Sequence, residues 1–160
     1  MHSRLATVFV LIVFTLAVQV SMALISAELL VANPLLALLV VLSLRHGKVG
    51  GILWGAALGL LTDLNLPPLG YHGISMCLVG YFVAWLGGNM VIRGPGAVAF
   101  LTLLFYAADL GVVTFLHLLL GQALAPSLWL PVIPAGLFTA AIAMALEALA
   151  ERLARRERAA

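Results

Sequence analysis

The chain has 160 residues, of which 64% are hydrophobic and 9% charged, with a formal net charge of +2. A soluble domain carries roughly 45–50% apolar and about 25% charged residues, so a mean hydropathy of +1.20 excludes that class and predicts a chain that lives in a bilayer. Apolar runs follow one another with short turns between them, which leaves no room for a separate soluble domain.

In chain order, six spans are expected: residues 5–26, 29–44, 48–64, 70–88, 95–121 and 128–150. Each approaches or exceeds the roughly 17–25 residues that cross a hydrocarbon core. The first carries a small-residue pattern at Ser21, Met22 and Ala23, but its apolar run exceeds the usual 7–15 residues of a signal peptide, so it reads as an uncleaved span. Pro34 sits inside the second span and suits the first position of a shorter helix, with Leu29 to Asn33 lying at the interface. The fold class expected is an all-α bundle of six transmembrane helices in one domain, residues 1–150, followed by a basic tail, residues 151–160.

The eight Lys and Arg residues fall on one side of this topology. Arg4 precedes span 1, Arg45 and Lys48 lie between spans 2 and 3, Arg93 lies between spans 4 and 5, and Arg152, Arg155, Arg156 and Arg158 follow span 6. The positive-inside rule then places both termini in the cytoplasm. Tyr71 and Trp129 fall at the outer interface and Trp85 near the inner one, where amphipathic rings are favoured. Span 6 is expected to continue as a helix toward Arg158, with Glu151 four residues before Arg155. Its four arginines attract anionic lipid by roughly 1 kcal/mol each.

Span 3 has a second regularity. Gly47, Gly51, Gly55 and Gly59 recur every four residues, and Asp63 is the next member of the series. Such a ridge lets another backbone approach closely, which matters in lipid because no hydrophobic force drives helices together. The ridge packs either on span 4, through Gly80, Ala84 and Gly88, or on the helix of another protein. After Asp63 the chain turns through Pro67, Pro68 and Gly70 onto His72, a rigid hairpin because the prolines cannot both continue a helix. Asp63 has three readings: a cap on the turn backbone, a partner for His72, or a functional intramembrane carboxylate.

Asp109 lies near the middle of span 5, where an ionised carboxylate costs roughly 2.5–3.5 kcal/mol on insertion scales, so it should face the bundle interior or a partner. His117 is two turns further on and about 80° around the same helix. A protonated Asp109 bonded to a carbonyl or hydroxyl is the simple reading; a proton relay would need Glu147 as its inner acceptor. Cys77 has no intrachain partner and reads as a free buried thiol.

No catalytic constellation emerges, so no enzymatic activity is expected. Ser75 lacks the glycine-flanked setting and facing histidine of an intramembrane serine protease, and Asp63 and Asp109 lack the paired acids and phosphate-binding bases of a lipid phosphotransferase. No cofactor, metal or nucleic acid is expected, although His72, His117 and the two aspartates share the outer half. A transport-type binding subunit would instead close those four groups around a small-molecule pocket.

One stretch carries a family likeness: Asn33-Pro34, then Leu44-Arg45-His46-Gly47, Gly51-Ile52-Leu53-Trp54-Gly55, Gly59-Leu60-Leu61-Thr62-Asp63-Leu64, Pro68-Leu69-Gly70-Tyr71-His72 and Gly80-Tyr81. This succession resembles the rod shape-determining protein family MreD over residues 33–90; the remaining spans match only in being apolar. The resemblance implies a non-enzymatic subunit of the bacterial inner membrane in the elongation machinery that directs peptidoglycan synthesis. Its implied partners are MreC, through that protein's transmembrane helix, with MreB, RodA and PBP2 as further members of the assembly. It also implies a fold similar to the six-helix substrate-binding subunits of energy-coupling-factor transporters. Gly51, Gly55, Gly59, Asp63, Gly70, His72 and Asp109 are the residues expected to carry partner binding or the structural motif.

Overall fold

The computed structural model describes residues 2–25, 32–64, 70–90, 94–121 and 132–159, with side chains described for 9–21, 32–64, 70–90, 94–121 and 132–152. The described chain is helical, with no strand: α1 is His2–Ile25, α2 Pro34–Asp63, α3 Tyr71–Asn89, α4 Pro95–Leu119 and α5 Val132–Ala159. Five helices thus stand where six spans were expected. Among them α2, α4 and the Val132–Arg152 part of α5 are long and apolar enough to cross a membrane, which marks the chain as a membrane protein.

The difference in number lies at Gly47. Expected spans 2 and 3 form the single element α2, interrupted only at Gly47, whose φ of 73° and ψ of −174° are non-helical. A Cβ at Gly47 would meet nothing, so the positive φ alone calls for glycine there. Gly47 therefore bends the chain instead of packing against it, unlike the other members of the four-residue series.

The partners on either side show how far the chain bends. In the first arm, residues 34–46, the backbone N–H of Asn33 just before it donates to Thr139 Oγ1 at 3.2 Å, and Arg45 pairs with Glu147 at 2.9 Å. This arm runs alongside α5 and in the same sense. In the second arm, residues 48–63, Gly51 meets Gly80 and Gly59 meets Gly73, so it runs antiparallel to α3. Gly136, near the start of α5, packs on Tyr106, less than a turn from the Asp109 that neighbours Ser75 and the pair Asp63 and His72. Hence α5 and the first arm descend from the Asp63 end toward Gly47, and the second arm returns.

The first arm is the centre of the fold. Residues 34–43 are buried without a gap, because PLLALLVVLS is apolar on every face and a helix of that kind is stable only when surrounded. Pro34 occupies the first turn and Asn33 caps it, its Oδ1 accepting from Leu36 N at 3.2 Å. Leu11 of α1, Val83 of α3, Phe105 of α4 and Leu146 of α5 belong to the same buried core. Residues 29–31 of the expected interfacial segment, together with Pro67, Pro68 and Trp129, lie outside the described residues. Tyr71 is buried among its neighbours, and Trp85 is exposed. The C-terminal run is helical through Ala159, as its i to i+4 charge pattern leads one to expect.

Candidate functional site: the carboxylate end of the bundle

The second arm and α3 meet backbone to backbone. A Cβ built on Gly51 would collide with Gly80 O, and one on Gly55 with Met76 O and, at 2.8 Å, Cys77 Cα. A Cβ on Gly59 would lie 2.6 Å from both Gly73 Cα and His72 O. Real Cβ atoms do not approach backbone this closely, so glycine is required at all three positions. The ridge is therefore internal, covered by α3. Gly80 and Ala84 take the expected places opposite it, while a Cβ on Gly88 would meet nothing, and Gly87 takes its place against Leu44. A partner helix docking into this ridge, the alternative that the spacing left open, is thereby overturned.

Sequence spacing missed three of the five members of the α3 stripe. Its members are Gly73, Cys77, Gly80, Ala84 and Gly87, small residues separated alternately by four and three. That alternation is the mark of a helix seam, and it was available in the sequence. Cys77 is free, as expected, but half-buried instead of buried, its Sγ 3.7 Å from Ile52 O.

At the end of the ridge Asp63 caps α3 from across the hairpin. Its Oδ2 accepts from Gly70 N and Gly73 N, each at 2.9 Å, and its Oδ1 accepts from His72 N at 3.0 Å. These amides open α3, where no carbonyl one turn earlier is available to them, and α3 has no cap from its own Gly70, which has no side chain. Gly70 adopts φ 103°, the left-handed conformation that glycine tolerates. A carboxylate here also meets the positive end of the helix dipole. Asp63 is 2% exposed, and its negative charge is met by this nest of donors.

The fourth donor is the His72 side chain, its Nδ1 3.1 Å from Asp63 Oδ1. With the hydrogen on Nδ1, the imidazole donates to the carboxylate and its orientation is fixed. Two of the three readings of Asp63, the cap and the histidine partner, hold together in one geometry.

The other polar residues gather at the same end. Asp109 of α4 is 3% exposed, its carboxyl beside the Ser75 hydroxyl and within electrostatic reach of His72 and Asp63. His117 packs edge-on against Tyr71, ring centroids 5.0 Å apart. The structure thus brings Asp63, His72, Asp109 and His117 to one end of the bundle and adds Ser75. Sequence reasoning weighed Ser75 only as a nucleophile, because nothing in the sequence says that α3 and α4 bring positions 75 and 109 together. Asp109 Oδ1 and Ser75 Oγ are both buried and neighbour each other, without a hydrogen bond of good geometry between them. Glu147, the acceptor a proton relay would need, is bonded to Arg45.

No group of three or more His, Cys, Asp or Glu side chains suited to a metal occurs among the described residues. An open apolar groove of about 230 Å³ lies between α4 and α5, lined by Leu103, Tyr106, Leu110, Val132, Ile133 and Gly136 among others, and none of the four convergent polar residues lines it.

Fold and site together define an all-helical membrane protein whose central hairpin is closed by a glycine seam and a buried carboxylate cap. No family model, curated protein or solved structure matches the chain.

Proposed function

We propose that this protein is an MreD-like scaffold of the cell-elongation machinery, a non-enzymatic subunit of the bacterial inner membrane with both termini cytoplasmic. The observation that carries this reading is a coincidence of residues. The positions with the family likeness, Gly51, Gly55, Gly59, Asp63, Gly70, His72 and Gly80, are those that lock α2 to α3. The two arms of α2 cross the membrane separately in this reading, so that Gly47 marks a cytoplasmic corner beside Arg45 and Lys48, and six crossings result.

MreC is the proposed partner, with MreB, RodA and PBP2 in the wider assembly. Because α3 fills the glycine ridge, the MreC helix seats elsewhere, on the outward faces of the second arm and α3. There Leu53, Leu60, Leu78, Phe82 and Trp85 are exposed. Co-purification from detergent tests this: the full-length chain should retain MreC of the same organism, and Leu53→Arg with Phe82→Arg should abolish retention while leaving the chain folded. A wild-type chain that fails to retain MreC, in cells whose rod shape survives its depletion, overturns the reading.

A second reading is favoured by one observation, the convergence of Asp63, His72, Asp109 and His117. It is a small-molecule-binding subunit of an energy-coupling-factor-type transporter. Mass spectrometry of the denatured, freshly purified chain distinguishes the two, since a binding subunit should release a stoichiometric organic ligand and a scaffold none.

A further inference from the structure

At the Gly47 bend the chain exposes Arg45, His46 and Lys48 in close succession. Arg45 is already paired, its guanidinium donating to Glu147 Oε1 at 2.9 Å. Lys48 is not. It is exposed, and among the described residues no acidic side chain stands within ion-pair distance of it. The bend therefore keeps a positive charge that the fold leaves without a counter-charge.

His46 is fixed beside that charge. Its Nδ1 lies 2.9 Å from Leu42 O, so this nitrogen carries the hydrogen and donates to the carbonyl. A Cβ on Gly50 would lie 2.6 Å from that of His46, and the imidazole leans on the Trp54 ring, centroids 6.2 Å apart. A first-arm histidine is thus laid across the second arm, and Gly50 makes the room for it. What remains is Nε2, which has no partner among the described residues and becomes a second donor when protonated.

The surface that continues from His46 is apolar. Gly50, Trp54, Ala57 and Leu61 follow at i, i+4, i+7 and i+11 on one face of the second arm, and none of Trp54, Ala57 and Leu61 is fully buried. Eleven residues at 1.5 Å each make a strip of about 16 Å, close to half of a hydrocarbon core about 30 Å thick. A cationic end above an apolar strip one leaflet long is complementary to an anionic amphiphile. An acidic soluble protein would leave the strip uncovered.

We infer that the Gly47 corner binds an anionic phospholipid, its phosphate held by Lys48 and His46 Nε2 and one acyl chain lying along Trp54, Ala57 and Leu61. The site depends on no partner protein and no transported ligand.

The test is thermal unfolding of the full-length protein in a non-ionic detergent, titrated with phosphatidylglycerol, with phosphatidylcholine or with inorganic phosphate. Phosphatidylglycerol should raise the midpoint by about 4 °C for each tenfold increase above half-saturation, and the other two should not. Lys48→Gln and His46→Phe should each raise the half-saturating lipid concentration several-fold, whereas Arg155→Gln with Arg156→Gln should change it by less than twofold. If His46→Phe does not fold, Lys48→Gln decides, since Lys48 is exposed, and an unchanged lipid dependence in it overturns the site. An equal rise with phosphatidylcholine overturns it, because the headgroup charge would then play no part. An equal rise with inorganic phosphate overturns the lipid, and an equal loss in the tail variant would mean diffuse surface charge in place of a site.

Discussion

The seam between the second arm of α2 and α3 and the seam between α4 and α5 are built on opposite plans. In the first, backbone touches backbone along three glycines, and the end is tied by a carboxylate with four donors. In the second, side chains stand between the backbones. Tyr106 lies over Gly136, and an apolar groove remains open beside them. In lipid, where apolar surfaces gain little by meeting each other, close packing and satisfied hydrogen bonds must hold helices together. The first seam has both and the second has mainly contact, so substitutions should separate the two sharply.

The largest effect is expected at Gly55. Gly55→Leu drives a side chain into the Met76–Cys77 backbone, which cannot rotate away, and should cost more than about 3 kcal/mol. The readout is loss of monodisperse protein on size-exclusion chromatography; a folded Gly55→Leu chain of normal stability would erase the contrast between the seams. Next comes Asp63→Ala, which strands three amides at the start of α3 and should cost about 2–4 kcal/mol. Hydrogen exchange should quicken at Gly70, His72 and Gly73 first, before the rest of α3.

On the other seam, Gly136→Ala places a Cβ 3.0 Å from the Tyr106 ring, a side chain that can give by a few tenths of an ångström. A loss of about 1 kcal/mol or less in a denaturation series is expected, and a cost matching Gly55→Leu would show α4–α5 to be equally rigid. Arg45→Gln removes an ion pair with Glu147 whose arginine is 33% exposed. Solvent screening holds its effect to about 0.5 kcal/mol, measured as a small drop in midpoint. Smallest of all, Gly88→Ala fills open space in a helix and should stabilise by no more than about 1 kcal/mol.

Much of this architecture was legible in the sequence. Apolar runs and the scarcity of charge imply helices in a membrane, since backbone polar groups there must be satisfied within the element. The every-fourth-residue glycines announced a close seam, and the Pro-Gly turn onto His72 announced a hairpin. Three matters were not legible. Gly47 belongs to the same spacing series as Gly51, yet it bends the chain, because spacing does not report φ. The partner of the ridge was undecided, because a helix stripe built from small residues fits any other small stripe. Ser75 was passed over, because its significance comes from Asp109, 34 positions away.

The sequence by itself determined the helical class, the membrane setting and the places where backbones can approach, for these depend on local composition and period. Only the tertiary structure decided that α3 fills the glycine ridge, that Asp63 spends its charge on four donors of the neighbouring helix, and that Asp109 shares its end of the bundle with them. The physical reason is that a buried carboxylate takes its meaning from the donors around it, and those are brought together by packing between helices.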